Sequence, residues 1–539
     1  MRIDGTREGL RQAMAWLHTW VGLLLGWLLF AIFLSGSMAF FKLELNHWSR
    51  PELHGLGREA HGVTAIQLAD AETALQRLAP QAQSWRLTPA DERRPLATLS
   101  WREPATAGQR ARFEQRWLDP AGGEPVAARA TFGAGEFFYR FHFELRSAQQ
   151  SRWILEGRWL VGLATLLMLV ALLSGIVTHR RIFKDFFTFR PRAKAGQRAW
   201  LDAHNLSSVL ALPFFLVITF SGLMTLHSQY MPAGIAAAYG KQTNAYFSEL
   251  AGEPTPRKRG GSKAEAAALP LIGEAGWGRV LSQAQALLPG ARIEAVALQR
   301  EGDRTVVELN RHDGDRLQYR GPRLLFDAAT LQLLHQVDVT APATKTYGVL
   351  YGLHIARFAD LPLRGLLFGF GLLGSAMVAT GLVLWCVKRR AEVDRRKQAL
   401  SFGHRLVNTL NIGTIAGLPL AMAAFFHANR LLPTGLPERP DAELKTFFAV
   451  WGLSLIGSAL GCGWRRLFAV GAVAFAGLPV LDALTGPGLA QGSAVIVAVD
   501  TGFMATALLL GLLAWHCKPV ARRASPTPER PAAQVGCAG

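Results

Sequence analysis

The chain has 539 residues, 50% hydrophobic and only 18% charged, with a mean hydropathy of +0.17. Soluble proteins carry about a quarter charged residues, so this composition excludes an ordinary soluble domain and points to a polytopic membrane protein. The formal net charge of +19 would suit nucleic acid, but the basic residues gather in short loops between apolar runs, where they orient membrane spans; nucleic acid is set aside.

Residues 1–41 combine a basic arm (Arg2, Arg7, Arg11) with a first span over about 15–41. That run is too long for a cleaved signal, and no small-x-small cleavage site follows it. A polar module occupies 42–157, and the second span, RWLVGLATLLMLVALLSGIVTH, covers 158–179. The next loop, RRIFKDFFTFRPRAKAGQR, is dense in Lys and Arg and marks the cytoplasmic side. A third span near 202–226 closes the unit 158–226, and a second polar module fills 227–363. The fourth span, 364–390, ends in the basic run KRRAEVDRRKQ. Four further apolar runs lie within 391–517, near 406–426, 446–463, 467–484 and 492–515, and the tail 518–539 has a disordered composition.

The expected fold is therefore an all-α membrane protein of about eight transmembrane helices with an internal repeat. Both termini are expected in the cytoplasm and both polar modules outside, as small α+β units. In the second module WGRVLSQAQALLP (277–289) has helical spacing, and 293–300, 305–311 and 323–337 read as strands. The first repeats that order: a helix over 64–79, then SWRLTP, ATLSWRE and RFEQRWLD. All four cysteines (Cys386, Cys462, Cys517, Cys537) fall at inner ends or in the tail, so no disulfide is expected to staple the modules. The absence of Cys-x-x-Cys-His rules out ordinary covalent haem attachment.

The repeat is marked by histidines. His18 matches His204, and Ser35-Gly36 matches Ser221-Gly222, with one offset: 204 − 18 = 186 and 222 − 36 = 186. Tyr139 stands three residues before His142, ahead of span two, and Tyr351 three before His354, ahead of span four. Ser174-Gly175-Ile176-Val177 and Thr380-Gly381-Leu382-Val383 repeat within those two spans. The topology puts His18 and His204 near the inner face and His142 and His354 at the outer face. Facing neutral imidazoles in an apolar site are what an axially coordinated b-type haem needs, so two haem b groups (iron protoporphyrin IX) are expected. A histidine at a span end also suits plain headgroup contact; the matching of pairs across the repeat weighs against that for all four.

Secondary candidates are His179, whose repeat counterpart is Trp385, together with His227, His404 and His427. The last two copy the spacing of span three, 227 − 204 = 23 and 427 − 404 = 23, but that span lacks Ser-Gly-x-Met, which favours chance. His47, His54, His61, His312 and His335 read as solvated, and His516 as interfacial. Arg140, Arg146 and Arg357 flank the outer histidines and are candidates for pairing with haem propionates. RRIFKDFFTFRPR reads as an interfacial helix on anionic lipid, or as a docking face for an electron donor such as quinol or a reductase.

At WLHTWVGLLLGW, at FHFEL with the span after it, at WLDAHNLSSVLALPFFLVITFSGL and at LYGLHIAR, the chain resembles the PepSY-associated transmembrane helix family, which includes FoxB-type inner-membrane siderophore reductases. The resemblance covers roughly residues 10–390. It implies PepSY-like periplasmic modules, His18 and His204 as ligands of an inner haem, and His142 and His354 as ligands of an outer one. It also implies reduction of a ferric siderophore, Fe(III) to Fe(II), at the outer face of the bacterial inner membrane. Spans five to eight extend past the simplest family pattern. Two rivals remain: a non-enzymatic binding or regulatory protein, and a transporter built from the repeats.

Overall fold

The computed structural model describes residues 9–56, 62–103, 113–120, 125–145, 156–179, 186–187 and 196–253. It continues with 269–301, 304–339, 341–487 and 493–517. The expected basic docking segment falls almost wholly outside these residues, as do Arg146, His61, Cys537 and the tail.

Helix α1 (Leu10–Ala39) is the first span, and α2 (Lys42–Trp48) follows it at once. The first polar module contributes α3 (Ala65–Leu78), strands β1 (Ser84–Thr88), β2 (Thr98–Arg102) and β3 (Phe113–Trp117), and the entry helix α4 (Ala134–Glu144). The second span is α5 (Gly157–Thr178). The third is broken into α6 (Gly196–Leu210) and α7 (Leu212–Thr225), bent by 66°. Pro213 sits just past the break; it has no N–H to give, and its ring crowds the carbonyl four residues back.

The second module holds α8 (Gly273–Leu287), then β4 (Ile293–Glu301), β5 (Arg304–Arg311), β6 (Arg323–Asp327) and β7 (Leu333–Val337). Its entry helix is α9 (Pro342–Ile355), which leads into α10 (Leu361–Arg395), the fourth span. The C-terminal part comprises α11 (Phe402–Ile415), α12 (Gly417–Leu431), α13 (Arg439–Ala459), α14 (Trp464–Thr485) and α15 (Ala494–His516).

Among the described residues six helices are long and apolar enough to cross a membrane, counting α11–α12 as one, or seven if the bent α6–α7 pair is one span. The expected span near 446–463 falls on α13, whose first turns carry Arg439, Asp441, Glu443 and Lys445. Its 21 residues nevertheless run beside both α11 and α12.

The two polar modules are not separate sheets. Their strands form one seven-stranded antiparallel sheet in the order β3-β2-β1-β4-β5-β6-β7. The join is β1 against β4, with Trp85 opposite Leu298 and Leu87 opposite Val296. An antiparallel pair has a local twofold axis between its strands, so the sheet takes up the symmetry that the repeat implies. Trp85 and Trp277 meet edge to face at 5.8 Å under α3 and α8, in a core shared by both modules. Glu72 of α3 accepts the backbone N–H of Ile272 at 3.1 Å and of Gly273 at 3.0 Å, so one module caps the helix of the other. The single core relieves each module of the small-domain problem.

In the membrane part, α1 packs on α5 and α10, and α6 packs on α10. Close approach of α1 and α10 depends on small residues: a Cβ on Gly26 would lie 2.6 Å from Leu382, and one on Gly374 2.5 Å from Phe33. The C-terminal helices dock through buried polar contacts. Asn411 accepts from Trp27 Nε1 at 2.8 Å and donates to the Leu382 carbonyl at 3.2 Å. Arg439 and Glu443 pair at 2.6 Å with both side chains fully buried, and Thr131 Oγ1 donates to Glu443 at 2.8 Å. Arg430 pairs with Asp482 and stacks 4.0 Å over the Trp48 ring, while Trp48 Nε1 donates to Asp500 at 2.9 Å.

Candidate functional site

Four histidines from four different helices meet in two pairs. His18 (α1) and His204 (α6) have ring centroids 6.2 Å apart, and His142 (α4) and His354 (α9) 6.1 Å apart. Two imidazole nitrogens, each about 2.0–2.1 Å from one metal with the ring centre a little over 1 Å behind it, give centroids about 6 Å apart. Each pair would therefore be close enough to hold one group between its rings, a separation that His179 also has from His18, at 6.3 Å. His18 and Gly36, the seat of His142, lie at opposite ends of α1; 36 − 18 = 18 residues is about 27 Å of helix.

Each of the four rings sits in the same kind of seat. His18 Nδ1–H donates to the Ala171 carbonyl at 2.8 Å and His204 Nδ1–H to Met377 at 2.9 Å. His142 Nδ1–H donates to Ile32 at 2.8 Å and His354 Nδ1–H to Ile218 at 3.1 Å. Each acceptor lies four residues before a glycine on which the ring rests. A Cβ on Gly175 would lie 3.1 Å from His18, on Gly381 3.2 Å from His204, on Gly36 2.6 Å from His142, and on Gly222 3.0 Å from His354. Before the glycines, Ser174 and Ser221 turn their hydroxyls back to that same carbonyl, at 3.1 and 3.3 Å, whereas Ser35 and Thr380 donate more closely to the carbonyl one residue earlier, Ala31 at 2.6 Å and Ala376 at 2.7 Å. The repeated Ser/Thr-Gly dipeptides are thus the floor of the histidine seats.

The seat fixes the tautomer. A carbonyl only accepts, so Nδ1 bears the hydrogen in His18, His142 and His204 and Nε2 keeps its lone pair for a ligand, while His354 Nδ1 faces both the Ile218 carbonyl and the Ser221 hydroxyl at 3.1 Å. Metal-bound imidazoles are oriented by this kind of second hydrogen bond. Around His142 and His354 the structure opens a cavity of about 760 Å³. Its floor is apolar, with Leu29, Phe33, Val161 and Met168, and its mouth is polar, with Lys42, Arg93, Arg357 and Arg364. A flat apolar macrocycle with acidic substituents matches that division.

The family described as PepSY-associated TM region matches residues 15–388, and with them all four histidine seats. This chain belongs to that family. It is also 27% identical over 385 residues to an uncharacterized protein of Pseudomonas aeruginosa, covering 69% of this chain and 92% of that shorter protein. The PepSY-associated match ends before α11, so the C-terminal helices stand outside it. The match and the apolar helices together make this a membrane protein of that family.

The remaining candidates fall elsewhere. His179 caps α5 with its ring 6.3 Å from His18, on the margin of the first pair. His227 donates Nδ1–H to the Met224 carbonyl at 2.9 Å and accepts the Tyr246 hydroxyl at Nε2, outside both pairs. His427 bonds the Ala474 carbonyl at 2.9 Å among the C-terminal helices. His404 stacks on Trp385, outside the seats. Arg140 is held by Glu136 at 2.6 Å and Glu144 at 3.4 Å and is not among the cavity's lining, whereas Arg357 is, paired with Asp313.

Sequence reasoning missed Arg364, buried beside the cavity and bonded to Glu44 at 2.5 Å. Its place at the start of span four reads as a simple charged flank. It also missed Asp91. Burial works to raise that carboxyl, but the His312 hydrogen bond and the Arg94 guanidinium overcome it and hold it well below the usual carboxylate range. His54, expected to be solvated, is buried against Asp482 at 3.6 Å, and burial and Arg430 push its pKa down to about 4. His47 is buried beside it, rings 5.2 Å apart. His312 faces Glu294 at 3.2 Å instead of water alone.

Proposed function

We propose that this chain is a di-haem b oxidoreductase of the bacterial inner membrane that passes electrons outward to reduce ferric siderophore for iron uptake. In this reading it crosses the bilayer eight times, with both termini in the cytoplasm and the sheet, formed by two PepSY-like modules, in the periplasm. The observation that supports it most is the fourfold repeat of one seat: a ring on a glycine, Nδ1 tied to a helix carbonyl, Nε2 left free. Structural histidines have no reason to share that arrangement in facing pairs.

Haem b, once held, supplies reversible one-electron chemistry at the iron. The protein's own residues do the rest. His18 with His204 would hold the inner haem, and His142 with His354 the outer one. The carbonyls of Ala171, Met377, Ile32 and Ile218 raise ligand basicity by accepting the Nδ1 hydrogens. The apolar helices exclude water between the pairs. At the outer end Arg357, paired with Asp313, and the buried Arg364, paired with Glu44, line the cavity and would supply partly offset positive charge toward propionates. The remainder of the mouth, where Asp91, Arg94 and Glu294 line the cavity beneath the sheet, faces the side from which a ferric chelate would approach.

A pyridine haemochrome assay on purified protein tests the reading, with two haems per chain expected. The dithionite-reduced protein is then mixed anaerobically with ferric siderophores of several classes, and reoxidation is followed in the Soret band. A preparation without haem, or a reduced protein that no ferric chelate reoxidises, would remove the proposal and return the binding and transport readings.

A further inference from the structure

We infer that the C-terminal helices complete a hydroquinone site at the inner face, built from His404 and Trp385, through which the electrons enter. This rests on the di-haem reading above and extends it to the donor. His404 lies in the first turn of α11, where Ser401 Oγ accepts its backbone N–H at 3.3 Å. That early position would ordinarily leave a side chain in water, yet His404 is only 7% exposed. Among the described residues its buried Nδ1 has no hydrogen-bond partner, nor has the buried Nε1–H of Trp385. The two rings lie face to face, centroids 6.1 Å apart and planes at 23°. An unpaired ring nitrogen beside an unpaired indole N–H is a costly arrangement for a purely structural contact.

Its placement gives the occupant. Trp385 is one helical turn beyond Gly381, the seat of His204, so the pair adjoins the inner histidines on α10. The Arg389 guanidinium covers the Trp385 ring at 4.7 Å. Beside His404, Phe402 is 73% and Leu406 44% exposed, an apolar approach from the lipid side. A membrane hydroquinone matches each element. One hydroxyl donates to His404 Nδ1, an oxygen accepts from Trp385 Nε1, the ring packs among the aromatic groups, and the isoprenoid tail stays in lipid.

The chemistry balances. Oxidation of one hydroquinone to quinone breaks two O–H bonds and releases two electrons and two protons. His404 Nδ1 takes one proton from the bound hydroxyl and passes it to the cytoplasmic side, and the second hydroxyl proton is released to water at that same side. The electrons leave singly toward the His18–His204 pair, and two ferric chelates are reduced per quinone formed. In the repeat, Trp385 stands where the first half has His179, which is why the site forms on one half only and requires α11.

Binding of decylubiquinone to the detergent-solubilised full chain tests the site by equilibrium partition, a readout independent of turnover. Saturable binding is expected, weakened roughly tenfold or more in His404→Ala and in Trp385→Phe and unchanged in His427→Ala. Haem content, measured on each variant, reports whether the fold is intact. A second readout, the rate of haem reduction by decylubiquinol, should fall in both variants while reduction by dithionite does not. Absence of saturable binding, or binding indifferent to both substitutions in folded protein, overturns the inference even if two haems are present. Loss of the di-haem reading alone would show as His404-dependent quinone binding to a chain that carries no haem.

Discussion

Replacing the glycines under the histidines tests the seat itself, and Gly36→Ala is the sharpest case. A Cβ there would lie 2.6 Å from His142 Nδ1 and 2.7 Å from Cε1, nearly 1 Å inside ordinary contact. The ring has no room to yield without breaking its 2.8 Å bond to the Ile32 carbonyl, because that carbonyl lies one turn away on the same helix. Overpacking of this kind costs about 1–3 kcal/mol, which is about five- to 150-fold in affinity for whatever the ring holds. Gly222→Ala, Gly175→Ala and Gly381→Ala bring the Cβ to 3.0, 3.1 and 3.2 Å and should be milder in that order. Gly22→Ala, on α1 with nothing within 4 Å, is the control. The assay is haem per polypeptide with a redox difference spectrum. Gly36→Ala should lose or shift only the component assigned to His142 and His354. Full loading and unchanged potentials in Gly36→Ala would refute the argument that glycine is there to seat the ring.

His142→Ala and His18→Ala should each reduce the haem count from two to one, whereas His227→Ala leaves both, as read by haemochrome assay. Glu443→Ala strands the fully buried Arg439 and should destabilise the C-terminal helices by about 3–5 kcal/mol, measured as a lower melting temperature in detergent. His54 is buried neutral with a pKa of about 4 against an ordinary 6.5. The unfolded chain therefore binds the extra proton first, so stability is full above pH 6.5 and falls as pH drops toward 4, by up to about 3 kcal/mol. His54→Gln should flatten that part of the melting profile. Asp91 acts with the same sign at lower pH: its depressed carboxyl stabilises fully above the ordinary carboxylate range, and that contribution is lost progressively as pH falls from that range into stronger acid, so Asp91→Asn should lower stability at neutral pH and have little effect in strong acid.

Much of this protein is written in local sequence. Apolar runs of bilayer length fix most of the spans, because nothing else satisfies a backbone in hydrocarbon. The shared offset of His18 with His204 and Gly36 with Gly222 announces the duplication. The alternation in 293–311 announces strands β4 and β5. The bend at Ala211 was open to reading from Pro213, but a continuous apolar run masks it.

What the sequence left undecided depends on contacts between distant segments. That β1 pairs with β4, turning two modules into one sheet, follows from edges meeting only once the membrane helices bring them together. The purpose of Ser-Gly and Thr-Gly became readable only with rings resting on them, since a dipeptide does not reveal which side chain crosses it. Arg140 and Arg357 look alike in sequence; Glu136 and Glu144 hold one off the cavity while Asp313 leaves the other lining it. Hydrophobicity and repetition are properties of a segment and survive in one dimension. Pairing of imidazoles, burial of His404 and sharing of a core are properties of two segments at once, and only the folded chain sets them.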